Sequence, residues 1–434
     1  MVRTPPRHRA GAVAASARSD RALTLPRGSP NVGRSGMAPH RILFVEASIG
    51  GVLGGSLTGI LQLIDRLDRA RFAPSLLLYQ EKEIVPQLEA AGVPVAVLPP
   101  QPAWLPDGER GRGGRAWLRL KEIPAVVLPR ARAVGAHLRA VRPDIVYLAN
   151  GVAPNLDALV AAARAGIPTL VHEKGYRRIG PRERFMSRWI DVLVGMTERV
   201  TAHVRQRGVR ARRHLTVYDG IDCERFAAGG GAAVRSELGI PAAAPVIGIV
   251  GHIQGWKGQD LVVQAMARLR DRHPELRCLI VGGVHSQGDA YAARLRQRIA
   301  DERLERQVIL TGARRDIAAC LDAMDVAIHS STNPEPFGRV LIEAMALSRP
   351  LVAPREGGPL EIVVDGETGL LVPPRDPEAL AVAIERLVLD PDLRRRLGAA
   401  GRARVETVFD IRHHVRAMEA IFDEMQAHRR HAAA

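Results

Sequence analysis

The chain has 434 residues, 46% hydrophobic and only 4% aromatic, enough for two α/β domains with aliphatic cores. Three cysteines, Cys223, Cys278 and Cys320, are odd in number and lack CxxC spacing, which argues against a disulfide scaffold or zinc site, and no run of about 18 apolar residues offers a membrane span. The formal charge of +16 is concentrated, with seven Arg against one Asp over residues 1–40 and nine Lys or Arg against three acids over 101–142, and neither block carries an RNA-binding aromatic signature or a helix-turn-helix pattern. An anionic membrane surface or an anionic substrate fits this distribution at least as well as nucleic acid does. All three cysteines read as small core residues of a protein in a reducing compartment.

Residues 1–37 are rich in Arg, Ala, Pro, Gly and Ser without periodicity, and read as a disordered tail or as the product of a start assigned upstream of Met37. A strand over 41–46 leads into Ser48-Ile49-Gly50-Gly51-Val52-Leu53-Gly54-Gly55 and a helix whose Leu57, Ile60, Leu61, Ile64 and Leu67 share one face. Strand, glycine loop and helix in that order put open amides at the carboxyl edge of a parallel sheet, where ligands bind in open α/β folds. The loop is not GxGxxG with an acidic ribose clamp, so NAD is disfavoured. Strands follow over 75–79 and 93–98. The insertion 101–121 then mixes Trp104, Trp117, Leu118 and Leu120 with five Lys or Arg, a composition suited to anionic lipid or to a solvated loop.

Next come a strand over 144–148, a helix over 154–164 and a strand over 169–172 ending at His172, a position that in such folds points into the crevice more often than into the core. The run Arg177, Arg178, Arg182, Arg184 and Arg188 reads as a solvated face. After a strand over 191–195 and a helix from Glu198 comes the segment Tyr218-Asp219-Gly220-Ile221-Asp222. Gly229-Gly230-Gly231 and Pro241 to Pro245 lead into a second doubly wound unit. Its strand over 246–250 opens onto Gly251-His252-Ile253-Gln254-Gly255-Trp256-Lys257-Gly258, where Lys257 stands at a helix mouth and can meet a diphosphate by charge. Trp256 reads as a packing residue. Further strands are expected over 276–281, 308–310 and 326–329, and helices over 376–389 and 391–405.

Between the last two groups lies HSSTNPEPFGRVLIEAMALSRPLVAPREGGPLEIVVDGETGLL, from His329 to Leu371. Asn333-Pro334 and Pro336 place Glu335 in a loop, and the helix should begin near Gly338 with Glu343 inside it. A loop carboxylate, a glycine and open N–H groups at a helix start suit a polyol carrying phosphates.

These residues resemble the family 4 retaining glycosyltransferases of the GT-B fold (group 1 type), whose signature is Glu335-x7-Glu343, the strand at Pro350-Leu351-Val352-Ala353 and the loop Gly357-Gly358. The resemblance runs from Arg41 to about Phe409. It implies an α/β chain of two doubly wound Rossmann-like domains facing each other across a cleft: an acceptor domain over 38–218, a donor domain over 219–410, and a helix over 411–434 returning to the first. It further implies that Glu343 holds the ribose hydroxyls and Glu335 the donor sugar. His252 and Lys257 meet the diphosphate, with His252 standing where arginine is more usual, and the amides of Phe337, Gly338, Arg339, Val340 and Leu341 contact sugar and phosphate. Gly54 and Gly55 face the donor phosphates and the acceptor, and His172 faces the acceptor, which makes Glu335, His172 and Lys257 the candidate catalytic residues. No Asp-x-Asp stands where a metal-dependent fold wants one, so no metal or other cofactor is expected beyond the nucleoside-diphosphate sugar. The reading is a cytoplasmic transferase, peripheral on a membrane, that builds cell-surface polysaccharide or glycolipid on a glycan or lipid-linked hydroxyl. A nucleotide-sugar epimerase and an inactive nucleotide-sugar-binding protein at a membrane are the alternatives.

Overall fold

A computed structural model describes residues 38–48, 55–99, 123–226, 228–285 and 288–433. The first sheet contains β1 (His40–Glu46), β2 (Phe72–Leu78), β3 (Val95–Val97), β4 (Ile145–Leu148), β5 (Thr169–Glu173), β6 (Val192–Gly195) and β7 (Arg213–Thr216), all parallel, in the order β3-β2-β1-β4-β5-β6-β7. The second contains β8 (Val246–Val250), β9 (Arg277–Val281), β10 (Val308–Gly312), β11 (Val326–Ile328), β12 (Leu351–Pro354) and β13 (Leu370–Val372), again parallel, in the order β10-β9-β8-β11-β12-β13. Helices cover both faces of each sheet. This is why strands such as Ile42-Leu43-Phe44-Val45 are apolar without alternation and wholly buried. The fold is the two-domain, Rossmann-like architecture expected.

Strand β2 begins at Phe72, three residues earlier than the pattern suggests, and passes through Pro74. Leu76 donates its N–H to Pro94, so the N–H side of residue 74 faces the β3 flank before β3 starts, and no ladder bond is lost there. Cys223, Cys278 and Cys320 are all buried and unbridged.

Helix Ile411–Ala433 leaves the second domain and inserts Ile411, Val415, Met418, Ile421, Phe422 and Met425 into the first-domain core. Phe422 meets the rings of Phe44, Phe72 and Tyr147. Each sheet reverses its winding once, between β1 and β4 and between β8 and β11. Loops after such strand pairs diverge and leave a crevice at the carboxyl edge. Both domains present one.

Candidate active site

The loop after β8 and the loop after β11 flank the second crevice. Lys257 closes the first loop, and Gly258 with a positive φ starts helix Gln259–Leu269 behind it. Its ammonium lies 2.9 Å from a Glu335 oxygen and 4.0 Å from the centre of the Trp256 ring, so Trp256 carries a cation on its face rather than serving only as packing. The Ser331 hydroxyl donates to the same Glu335 oxygen at 3.1 Å, and His329 Nε2 stands 3.6 Å away. Burial pushes the Glu335 carboxyl up, but His329, Lys257 and Ser331 outweigh it and hold it below the ordinary carboxylate range. Burial draws His329 down to about 4, so its ring is neutral at pH 7 and Lys257 is the resident cation. His252 is exposed at the loop mouth, edge-on to His285 with ring centres 6.1 Å apart, while its carbonyl accepts from Gln259.

Gly338 has a φ of 102° and caps helix Arg339–Ala346, a conformation that lets the chain turn from the Glu335 loop straight into the helix. Behind that loop the Gly358 N–H donates to the Glu335 carbonyl at 2.7 Å. A Cβ at Gly357, whose φ is 68°, would lie 2.5 Å from the same carbonyl, so the glycine pair allows the two loops to stack. Glu343 lies on the helix with its side chain 16% exposed, and burial raises its carboxyl while Arg339, 3.7 Å away, partly offsets the rise. Phe337 and Leu341 are buried, Phe337 against Phe409, so these two can offer a ligand only their backbone. Val340 is half-buried. Arg339 reaches Gln62 of the first domain at 3.4 Å and the Gly220 carbonyl, at the junction of the two domains, at 3.5 Å.

The first-domain edge is arranged differently. His172 shares its strand face with Leu170, and that face is covered by the returning C-terminal helix. The ring is therefore 0% exposed, stacked on His414 and bonded to the Tyr147 hydroxyl, with Nε2 3.9 Å from Asp219. The expectation that His172 points into the crevice is corrected: it lies inside a network with Asp219 and Lys174, whose ammonium is 3.5 Å from Asp219. Burial pulls the His172 ring well below its usual value, as does Lys174. Burial raises Asp219, but Lys174 and the histidines overcome it and depress its carboxyl strongly. On the opposite face, Glu173 accepts from the Val152 N–H, and burial lifts it to about 7. Glu46, at the end of β1, accepts from Asn150 and Ser48 N–H. Gly55 opens helix Gly55–Arg66; Gly54, Trp104, Trp117 and the basic insertion lie outside the described residues.

The two edges touch. The Thr197 hydroxyl donates to the Pro336 carbonyl at 3.0 Å, and Glu361, three residues past Gly358, accepts from the Glu198 and Arg199 N–H groups and the Tyr218 hydroxyl.

Two family models match the chain: residues 54–220 match the glycosyl transferase 4-like domain and residues 232–404 match glycosyl transferases group 1. The chain belongs to the group 1 glycosyltransferases. Among solved structures, Anabaena HepE in complex with UDP superposes with a TM-score of 0.75 at 23% identity, covering 89% of this chain and all of that one. Sucrose-phosphate synthase from Thermosynechococcus elongatus gives 0.71 at 23% identity, covering 89% and 99%. At these identities the likeness establishes the GT-B fold. Among curated proteins, D-inositol 3-phosphate glycosyltransferases from Corynebacterium jeikeium and Corynebacterium urealyticum are 40% and 36% identical, over 41% and 47% of this chain and 44% and 50% of their own. The chain thus spans about half the length of the curated relatives it matches.

For this glycosyltransferase, sequence reasoning overlooked His329 and Ser331, though both stand in the quoted stretch and a polar pair ending a buried strand was the available signal. Lys174, Asp219 and Glu361 were also missed as interior partners, because each pairs with residues distant in the chain. Among the described residues, no group of three or more His, Cys, Asp or Glu is disposed to hold a metal ion, and no helix is long and apolar enough to cross a membrane.

Proposed function

We propose that this glycosyltransferase moves a sugar from a nucleoside-diphosphate donor to a hydroxyl of a glycan or lipid-linked acceptor, with retention of anomeric configuration and without a metal. The observation that carries the reading is the Lys257–Glu335 pair at the β8/β11 crevice, beside the open start of helix Arg339–Ala346. Breaking the donor's glycosidic bond leaves negative charge on the departing diphosphate, and a fixed ammonium with helix-start amides stabilises that charge. Glu335 accepts from sugar hydroxyls and Glu343 from the ribose, each charge-assisted. Lys257 must then share its charge between Glu335 and the incoming diphosphate. His252, exposed at the loop mouth, adds a hydrogen bond to that group.

The UDP named for HepE makes UDP-sugars the first donors to test, and the inositol phosphate named for the curated relatives makes a phosphorylated polyol the first soluble acceptor. We place the enzyme in the cytoplasm at a membrane, where a lipid-linked acceptor would be reached. Purified protein is incubated with UDP- and GDP-sugars, with and without acceptors and a chelator, and product configuration is read by NMR. Acceptor-dependent nucleotide release with retained configuration in chelator supports the proposal. Sugar interconversion without transfer, or inversion, overturns it.

A further inference from the structure

The arginine run after β5 is not used by the chemistry above. Residues 181–213 carry nine arginines against three acids, Glu183, Asp191 and Glu198. Glu183 is buried, accepting from the Gly180 N–H and Arg182, and Asp191 is engaged by Arg212 at 3.3 Å. Glu198 is exposed and Arg213 pairs with Glu424, so the positive charge turned outward rests on the remaining arginines. Residues Arg188, Trp189, Arg212 and Arg213 line a depression of about 450 Å³ together with Pro168 and Asp191. Pro168 and Arg212 directly precede β5 and β7, so the depression lies at the amino ends of the strands, at the opposite edge from the donor crevice. Beside it Phe185 is 55% exposed, with the Arg188 guanidinium 3.6 Å from its ring centre and Trp189 edge-on at 6.2 Å. Arg184, Arg188 and Arg207 are exposed and have no carboxylate partner among the described residues.

We propose that this surface docks the enzyme onto an anionic lipid bilayer. A half-exposed phenylalanine and a tryptophan beneath unpaired arginines match the layered chemistry of a membrane interface, rings at the acyl boundary and guanidiniums at the phosphates. Single-stranded nucleic acid is bound by rings whose faces are open to stack on bases, and here Arg188 already covers Phe185. Docking by this edge leaves the crevice clear of lipid, so the surface is an anchor and not an acceptor subsite, and of the acceptors proposed above it favours a glycan over one held at the lipid surface. The inference shares the membrane setting of the proposed function but does not depend on the transfer reaction, and it places the contact outside the insertion 101–121.

The full chain is sedimented with vesicles of phosphatidylcholine alone and with added phosphatidylglycerol across a salt series, and in a form carrying Trp104→Phe, Trp117→Phe and Trp256→Phe the Trp189 emission is quenched with brominated lipid. Salt-sensitive binding confined to the anionic vesicles is expected. Each arginine reversed should weaken partitioning about fivefold or more, so Arg184→Glu with Arg188→Glu should weaken it at least about 25-fold. Phe185→Ser should reduce quenching at unchanged melting temperature. Transfer to a water-soluble acceptor should be the same in these variants as in the parent; no transfer by any form would refute the proposed function and leave this inference standing. Equal vesicle binding by variants and parent, equal binding to neutral vesicles, or loss of binding only on deleting 101–121 overturns it. So does duplex DNA binding that the same substitutions abolish while vesicles are ignored.

Discussion

The carboxyl edges of the two sheets share a topology and differ in where their charges point. At the β8/β11 edge Lys257, Glu335 and His252 remain within reach of a ligand, and Lys257 is held mainly by Glu335 and the face of Trp256. At the β1/β4 edge and the neighbouring end of β5, Glu46, His172, Glu173 and Asp219 are all buried: His172 turns to Asp219, while Glu46 and Glu173 accept from Asn150 and the Val152 N–H. Residues of the same kind at corresponding strand ends thus stay partly open in one half and are enclosed in the other. What separates them is the covering element. The C-terminal helix lies over the His172 face, whereas the Glu335 loop rests on the Gly357-Gly358 turn, Arg375 and Thr197.

The largest test of this contrast is at Lys257. Lys257→Ala should lower turnover by roughly 10²-fold or more, because the leaving diphosphate loses its cation, while the variant stays folded because Glu335 keeps the Ser331 hydroxyl as a donor. Full turnover at saturating donor would place the diphosphate elsewhere. His172→Ala should do the reverse, costing about 2–4 kcal/mol in urea unfolding by opening a cavity and stranding the Tyr147 hydroxyl. Transfer lost at unchanged stability would return His172 to the acceptor.

Glu343→Ala should weaken nucleotide binding by about 1.5–3 kcal/mol, measured by calorimetry on a folded variant. Unchanged affinity would remove the ribose assignment. Glu361→Ala, which deprives two first-domain N–H groups and the Tyr218 hydroxyl of their acceptor, should cost about 1–3 kcal/mol, and Glu361→Gln should recover part of it. Equal losses in the two variants would show that the carboxylate acceptor is not what joins the edges.

An effect of similar size is expected at Glu173, whose folded carboxyl sits at about 7 against 4.5 in the unfolded chain. A raised carboxyl favours the folded state fully below the unfolded value and loses that contribution as pH rises through about 7. Glu173→Gln should therefore stabilise the protein by about 1–3 kcal/mol at pH 8, with the gain vanishing below pH 4.5. A gain that does not vary with pH would contradict the buried ionisation. His172, His329 and His414 run oppositely: each is depressed by burial, so the unfolded chain gains protons first and stability falls as pH drops below about 6.5.

Local chemistry in the sequence determined the two parallel sheets, the loop position of Glu335, the helix start at Gly338 and the half-buried cation at Lys257. Strand hydrophobicity, proline breaks and glycine caps act over a few residues and can be read there. Even Pro74 misled by only three residues, since its tolerance depends on where the neighbouring strand begins. Tertiary structure alone decided which way the strand-end acids and histidines face. His172 is buried by a helix more than 230 residues downstream in the sequence, and Glu361 finds its donors in a different domain. A side chain at a strand end has two directions open to it, and the choice is made by whichever distant element covers the sheet.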